Sequence, residues 1–222
     1  MKLHVITLLL LLCAILMLSA QEIDAQFQAA DQSLMVIPTA YTMPKGASTF
    51  TDYEIIIVQY AYGLTDRTHL SIGMPFPIST EVFQYSALGV KQNYLKYGKL
   101  QCAASLSWMP KAEGGALSNV VSYGGVKASV HGFIGITFDY DKVNSGSLLA
   151  LGGIVDVSKR VALMSEIITY SAILEEEANG LLTLGVRLKG DRMSWDLGGF
   201  RPLSGDTGSL LLFPLLKLTV LF

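Results

Sequence analysis

The chain has 222 residues, of which 51% are hydrophobic and 15% charged, and its formal net charge at pH 7 is −2. This composition is too apolar for a disordered chain, and the length suits one domain with a sizeable core. No run of Lys or Arg is present in the sequence, so the basic surface that nucleic-acid binding requires is missing. We therefore expect one folded domain that does not bind nucleic acid.

Residues 1–20 have the pattern of a cleavable signal peptide. A lysine at position 2 is followed by an apolar core from Val5 to Leu18 and by small residues at 19 and 20. We predict cleavage before Gln21, with a site after Ala25 as an alternative because a bulky leucine precedes the first site at the −3 position. An uncleaved anchor helix is a further alternative, although the apolar run falls short of the roughly 20 residues that a spanning helix needs.

The mature chain is predicted to begin with a short periplasmic segment, residues 21–32, followed by one domain over residues 33–222. Removal of the signal peptide leaves Cys102 as the single cysteine, which excludes an intramolecular disulfide. We interpret Cys102 as a small packed or lipid-facing residue. No run after residue 20 reaches the roughly 18 apolar residues of a transmembrane helix.

Hydrophobic residues of this domain alternate with polar or small ones, which indicates β-strands. In the segment Lys99–Trp108 the apolar face comprises Leu100, Cys102, Ala104, Leu106 and Trp108. The same period recurs at Gly132–Asp141 and Gly180–Lys189. With these three, twelve strands are predicted, and ten is the alternative count. The other nine are Ser33–Ala40, Tyr53–Tyr62, Thr68–Phe76, Val82–Lys91, Asn119–Lys127, Ser147–Val157, Val161–Ser171, Met193–Phe200 and Leu211–Phe222.

The predicted connectors are of two kinds. Tight polar turns lie at 63–67, 156–160 and 189–192, and longer connectors lie at 41–52, 110–118, 172–179 and 201–209. Short periplasmic turns and longer outer loops are typical of outer-membrane barrels. An even number of strands then places both chain ends on the periplasmic side.

The two faces of the strands favour a transmembrane barrel over a soluble β-sandwich. The less apolar faces carry mostly Gly, Ser, Ala and Thr, with an occasional charged residue such as Glu54, Arg187 or Asp196. Small residues suit the interior of a narrow barrel. Aromatic residues near strand ends suit a membrane-interface girdle. These are Tyr60, Tyr62, Phe76, Trp108, Phe138 and Tyr140.

The last segment of the sequence places Leu216, Leu218, Val220 and Phe222 on one apolar face that finishes on the final residue. This pattern resembles the outer-membrane β-barrel proteins of Gram-negative bacteria. The resemblance implies that these four residues form the C-terminal signal read by the barrel-assembly machinery. It also implies an all-β fold, a closed antiparallel transmembrane β-barrel in the outer membrane, in contact with lipid and lipopolysaccharide.

Two early stretches add a narrower resemblance. The segments Pro38–Gly46 and Tyr62–Arg67 are similar to those of a group of uncharacterised barrels common among Bacteroidetes. This resemblance bears on architecture and implies nothing about a substrate.

Residues for catalysis or metal binding are sparse. His69 and His131 are the histidines of the mature chain, and no His, Cys and Asp cluster has metal-ligand spacing, so we expect no metal site and no cofactor. Twelve strands also resemble the outer-membrane phospholipase family, whose Ser, His and Asn lie on the outer wall of the barrel. A hydrolase here would need His69 or His131 beside a serine of an adjacent strand. The run Glu175–Glu177 is interpreted as a solvated outer loop, with binding of the divalent cations that bridge lipopolysaccharide as an alternative.

We therefore expect an integral outer-membrane β-barrel without catalysis: a narrow pore, a transport component or a structural membrane protein. A secreted or periplasmic β-sandwich that binds a ligand is the first alternative, and a membrane-embedded lipid-modifying hydrolase is the second. Oligomeric state and pore selectivity are left open, because the predicted lumen charges are few and of both signs.

Overall fold

The computed structural model describes residues 28–76, 85–111, 113–125, 127–139, 146–172, 179–203 and 212–222. Within these ranges twelve strands form one closed antiparallel barrel, in which each strand pairs with its neighbours in sequence and β1 pairs with β12. Among the described residues, no helix has the length and hydropathy needed to cross a membrane. The strands are β1 (Ser48–Tyr53), β2 (Ile57–Thr65), β3 (Thr68–Pro75), β4 (Ala87–Tyr97), β5 (Leu100–Met109), β6 (Gly114–Gly125), β7 (Ala128–Asp139), β8 (Gly146–Asp156), β9 (Val161–Ala172), β10 (Asn179–Lys189), β11 (Met193–Pro202) and β12 (Phe213–Leu221).

The predicted closed barrel of twelve strands is confirmed, and the β-sandwich alternative is wrong because one sheet closes on itself. Buried and exposed residues alternate along the strands, and this alternation shows which face lines the lumen and which face forms the outer surface. In β5, Gln101 and Ala103 are buried on the inner face, whereas Leu106 and Trp108 are exposed on the outer face. A strand of period two presents one face to each side, so a closed wall separates the lumen from the surroundings.

The connectors differ in length between the two ends of the barrel, as predicted. At one end, called the short-connector end here, the strands are joined at 66–67, 98–99, 126–127, 157–160 and 190–192. At the opposite, long-connector end the joins are 54–56, 76–86, 110–113, 140–145, 173–178 and 203–212. The start of β1 and the end of β12 both lie at the short-connector end, where the amide nitrogen of Phe222 is 2.8 Å from the carbonyl oxygen of Ser48.

The first predicted strand, Ser33–Ala40, is wrong. This segment lies inside the barrel, and its only described β-pairing is an isolated bridge within itself, between Ser33 and Pro38. Its apolar residues are buried against the inner wall, which gives the segment the hydrophobicity of a wall strand. The predicted connector at 41–52 therefore contains the end of this inner segment and most of β1.

The predicted strand Tyr53–Tyr62 contains a tight turn that the sequence analysis missed. Glu54 and Ile55 have φ angles of 56° and 63°, and the amide nitrogen of Ile56 is 3.0 Å from the carbonyl oxygen of Tyr53. Two-residue hairpin turns with two positive φ angles normally use Asn-Gly or Asp-Gly, so Glu-Ile carries no turn signal. One strand was thus predicted wrongly and one was missed, which leaves the total of twelve correct. The other eleven predicted strands each overlap one of β2 to β12.

Residues 28–43 lie in the lumen, and residues 44–47 lead out of it to β1; together they are called the plug segment below. Leu34, Met35 and Ile37 are almost completely buried and cluster with inner-wall residues of β8 and β9. The bulkier wall residues packed against this cluster are Phe133, Leu148, Ile154, Leu181 and Leu215. The core of this barrel is therefore formed between its wall and its own N-terminal segment.

Candidate functional site

The plug segment folds as a short hairpin whose tip is at Val36. The amide nitrogen of Leu34 is 2.9 Å from the carbonyl oxygen of Ile37, and that of Thr39 is 3.0 Å from the carbonyl oxygen of Gln32. These two bonds satisfy few of the backbone groups of the hairpin. The remaining buried amides and carbonyls need partners, and side chains of the wall supply them.

Glu166 of β9 holds the tip of the hairpin. Its carboxylate accepts hydrogen bonds from the amides of Val36, at 3.1 Å, and of Ile37, at 2.9 Å. The hydroxyl of Thr183 on β10 donates to the other carboxylate oxygen. Two successive backbone amides that point at one anion form a strong, oriented contact.

A buried ionic cluster on β10, β11 and β12 holds the first arm of the hairpin, residues 30–34. The carboxylate of Asp196 lies 2.7 Å from the Nε of Arg187 and 2.8 Å from the Nζ of Lys217. Arg187 also donates to the carbonyl oxygens of Ala30, at 3.0 Å, and Ser33, at 2.8 Å. Lys217 donates to the hydroxyl of Ser33 and to the carbonyl oxygen of Leu34. The three wall side chains thus neutralise one another in part and bind plug backbone with their remaining donors.

The opposite side of the plug segment is held mainly by uncharged groups. The side-chain amide of Asn93 on β4 donates to the carbonyl oxygen of Ala40 at 2.9 Å. The hydroxyl of Ser122 on β6 accepts from the amide of Ala40 at 2.8 Å. Lys91 of β4 donates to the carbonyl oxygen of Gln32 at 3.2 Å.

Both candidate histidines are buried in the lumen rather than on the outer wall. His131 lies between two serine hydroxyls, 2.7 Å from Ser122 and 2.9 Å from Ser129. Ser122 is on the adjacent strand, as the hydrolase hypothesis requires, but it is fully buried and its oxygen already accepts the Ala40 amide. The outer-wall placement of the phospholipase pattern is therefore wrong for these residues, and the cluster acts as an anchor for the plug segment.

Four buried side-chain atoms of the described residues have no hydrogen-bond partner. Three lie on the β1–β4 side of the plug segment: Oε1 of Gln32, Nδ1 of His69 and Oδ1 of Asn93. The fourth is the hydroxyl of Ser194 on β11. Buried polar groups are normally paired, so the polar groups on this side of the plug segment are less completely satisfied by protein than those on the side of β9 to β12.

The plug segment leaves the lumen beside the turn between β2 and β3. Gly46 and Ala47 exchange backbone hydrogen bonds with Gly63, each at 2.8 Å. The carboxylate of Asp66 accepts from the amide of Lys45 at 2.9 Å. A Cβ atom on Gly63 would collide with the carbonyl oxygen of Pro44, so this close approach requires glycine.

A cavity of about 510 Å³, called the vestibule below, opens at the short-connector end between the plug segment and the wall. Its lining includes the polar residues Asp31, Tyr41, Lys99 and Gln101. Burial raises the pKa of Asp31 to about 6, against the lowering effects of its hydrogen bond from Gln28 and of Arg187. Burial also raises the pKa of the Tyr41 hydroxyl.

The outer face of the wall is strongly apolar. The aromatic residues predicted for an interface girdle are exposed there, with Tyr60, Phe76 and Trp108 close to half exposed, while Tyr140 and the run Glu175–Glu177 lie outside the described residues. Soluble proteins do not expose an apolar surface of this extent. Large aliphatic side chains exposed on this face include Leu70, Val90, Leu106, Leu117, Ile134, Ile136, Leu149, Leu151, Leu163, Ile167, Leu184, Leu188 and Leu197.

The predicted C-terminal residues occupy the expected face. Leu216, Leu218 and Val220 lie on the outer face of β12, opposite the buried inner-face residues Lys217 and Thr219, and the Phe222 side chain is two-thirds exposed. Their role as an assembly signal stays a prediction. Among the described residues, no group of His, Cys, Asp and Glu could hold a metal ion.

No protein-family model matches the chain, and no curated protein matches it. Several solved outer-membrane barrels resemble its fold at low identity. An anion-selective porin from Comamonas acidovorans is 13% identical, with a TM-score of 0.43, over 75% of this chain and 59% of that one. A loop-deletion mutant of OmpT, an outer membrane protein of Vibrio cholerae, is 16% identical, with a TM-score of 0.40, over 75% and 62%. OccK10 of Pseudomonas aeruginosa is 12% identical, with a TM-score of 0.40, over 75% and 58%. The chain thus spans about three fifths of each of these structures.

Proposed function

We propose that this chain is an integral outer-membrane β-barrel without catalytic activity that forms a narrow pore closed by its own plug segment. A closed wall leaves no unpaired strand edge, which is the condition for β-structure in lipid. The apolar outer face suits hydrocarbon, and the short-connector end would face the periplasm. The predicted signal peptide is consistent with export to that membrane.

The observation that carries the pore proposal is the way in which the lumen is filled. Many inner-face residues of β3 to β7 are small, including Gly73, Gly89, Ser105 and Gly135, so the wall alone does not close the barrel. The plug segment fills it, and its backbone is held largely by polar side chains. Polar contacts can be exchanged for contacts with water at little net cost, so movement of the plug segment chiefly requires separation of its apolar cluster, Leu34, Met35 and Ile37, from the wall.

Two partners belong to this proposal. Outer-membrane lipid and lipopolysaccharide would surround the apolar belt. The barrel-assembly machinery would read the outer face of β12 at Leu216, Leu218, Val220 and Phe222 during insertion. The resemblance to barrels of Bacteroidetes stays a prediction.

Single-channel recording in planar bilayers tests the pore. The wild type is expected to show small or infrequent conductance steps, and Glu166→Ala, which releases the tip of the plug hairpin, is expected to show larger or longer ones. Ser165→Ala, a substitution at the neighbouring exposed position of β9, serves as the control. Heat-modifiable mobility in detergent gels verifies that each variant is folded.

Two results would contradict the proposal. If folded wild type and Glu166→Ala both fail to conduct, the barrel is a structural membrane protein rather than a pore. If the protein partitions into the soluble fraction and shows no heat-modifiable mobility, the membrane assignment is wrong.

A further inference from the structure

The plug segment is bound asymmetrically. Glu166, Arg187, Asp196 and Lys217, on the adjoining strands β9 to β12, hold its tip and first arm through charged groups. On the side of β3 to β6, the amine of Lys91 contacts the plug backbone but takes part in none of the ion pairs of the described residues. The weaker side of the plug is therefore the one that faces β3 to β6.

Lys91 is an unusual residue in this setting. It is only 5% exposed, and its described hydrogen bond is to the carbonyl oxygen of Gln32. The neighbouring His69, its partner in the β-ladder, and Asn93 on the same face of β4 each have an unpaired buried polar atom. A buried ammonium without a counter-charge is costly, and a small anion or water at this point would lower that cost.

The inner wall beyond Lys91, toward the long-connector end, carries small side chains on this side. Ser71, Gly89, Ser105 and Ser107 are small and face one another across β3, β4 and β5. The inner faces of β8 to β12 at the same end carry bulky apolar residues instead: Leu148, Ile168, Leu181, Phe200 and Leu215. The bulk that fills this end of the lumen therefore comes mainly from β8 to β12, and the wall of β3 to β5 contributes small side chains.

The vestibule lies on the other side of Lys91, at the short-connector end. Its lining includes Asn93 and Gln101, the inner-face residues that follow Lys91 toward the short-connector end, and Lys96 and Lys99 near the mouth. Asp31, Asp66 and Asp156 also line it, as do Arg187 and Lys189. Lys91 lies between the vestibule and the small-residue stretch of the wall, is almost fully buried, and takes part in none of the ion pairs of the described residues.

From this arrangement we infer that solutes pass between the plug segment and the β3–β6 wall, and that Lys91 makes this path selective for small anions. The inference rests on the proposed pore. An uncompensated cation in a narrow, poorly solvated passage attracts anions and repels cations strongly, because the effective dielectric constant there is low.

Reversal potentials in a KCl gradient across a planar bilayer test this selectivity. The wild type is expected to prefer chloride, Lys91→Arg to retain that preference, and Lys91→Gln to lose it. Lys91→Glu is expected to reverse the sign of the reversal potential. Lys111→Gln, which removes an exposed lysine at the long-connector end, should behave as the wild type.

A second variant tests the route without changing a charge. Ser107→Phe places a large side chain on the inner wall above Lys91 and is expected to reduce the conductance several-fold. A cation-selective wild type, an unchanged selectivity in folded Lys91→Gln, or an unchanged conductance in folded Ser107→Phe would overturn the inference while leaving the pore intact. If the Lys91 variants do not fold, the conductance of Ser107→Phe and the selectivity of the wild type decide whether the inference is correct. If neither the wild type nor Glu166→Ala conducts, the proposal that the barrel is a pore would instead be overturned.

Discussion

The carboxylate of Glu166 and the amide of Ile37 connect the middle of the barrel wall to the tip of the plug segment, with 2.9 Å between oxygen and nitrogen. The two residues are 129 positions apart in the sequence. The carboxylate also accepts the Val36 amide, so one side chain satisfies two adjacent backbone donors. Loss of this side chain would leave both donors unpaired in the lumen.

We predict that Glu166→Ala destabilises the docked plug more than Glu166→Gln does. An unpaired buried donor costs about 1–3 kcal/mol, and glutamine retains one oxygen that can accept a hydrogen bond. Hydrogen exchange of the Val36 and Ile37 amides in detergent micelles measures the effect. Exchange should be fastest in Glu166→Ala. The exposed neighbour Ser165→Ala should leave both rates unchanged. Equal protection in all variants would contradict the role of Glu166.

The sequence was sufficient to predict the wall but not its filling. Apolar residues alternate strictly with polar or small ones in segments such as β5 and β10. This pattern predicted the strands of a closed barrel, because a wall between lipid and lumen imposes a period of two. The segment Ser33–Ala40 has the same apolar content because it is buried as deeply as a strand, and alternation alone does not distinguish a strand in the wall from a hairpin inside it. The Glu54–Ile55 turn was missed because the required positive φ angles are carried by residues that rarely adopt them.

The charged residues of the lumen were partly visible in the sequence. Arg187 and Asp196 are charged residues on strand faces that otherwise carry small residues. Lys217 lies between Leu216 and Leu218 in the sequence and therefore on the face of β12 opposite to theirs. Their mutual distances were not predictable, because register between β10, β11 and β12 fixes them. Their plug partners were not predictable either, since those partners are backbone carbonyls, which carry no sequence signal.

We predict that Asp196→Asn destabilises the barrel by about 3–5 kcal/mol, the usual cost of removing one partner from a buried ion pair. Arg187 and Lys217 would then lie close together without a counter-charge. Urea unfolding in detergent, followed by tryptophan fluorescence, measures the change. The double variant Asp196→Asn with Lys217→Met should recover part of the loss, because it removes one of the two cations. The exposed turn variant Asp191→Asn is the control, and a loss of similar size in that variant would argue against the ionic cluster.

We predict that Asp31→Asn raises stability at pH 7.5 but has little effect at pH 4.5. Burial raises the pKa of Asp31 from 3.8 to about 6, so the folded protein holds this proton more tightly than the unfolded chain. The wild type therefore loses stability relative to the variant as pH rises from about 4 to 6, and the difference is constant above that window. Unfolding midpoints of both proteins across this pH range test the prediction. A difference that grows as pH falls would have the wrong sign.

We predict that Gly63→Ala loosens the point at which the plug segment leaves the lumen. A Cβ atom at this position would strike the backbone oxygen of Pro44, which cannot move without breaking the bonds between Gly63 and the residues at 46 and 47. Gly132→Ala is the matched control, because a Cβ atom there meets nothing within 4 Å. Thermal midpoints from heat-modifiable mobility should fall for the first variant and stay near the wild type for the second. Equal midpoints for both variants would show that the Pro44 segment adapts.

We predict that Phe222→Lys lowers assembly into the membrane more than Leu221→Lys does. The Phe222 side chain is two-thirds exposed at the short-connector end of the apolar face formed by Leu216, Leu218 and Val220, whereas Leu221 lies on the opposite face of the strand. Both substitutions leave the backbone bonds between Phe222 and Ser48 available, so barrel closure is not directly altered. The measurement is the fraction of protein in the outer membrane with heat-modifiable mobility after expression. Equal losses for the two variants would mean that the assembly signal does not depend on which face of β12 the side chain occupies.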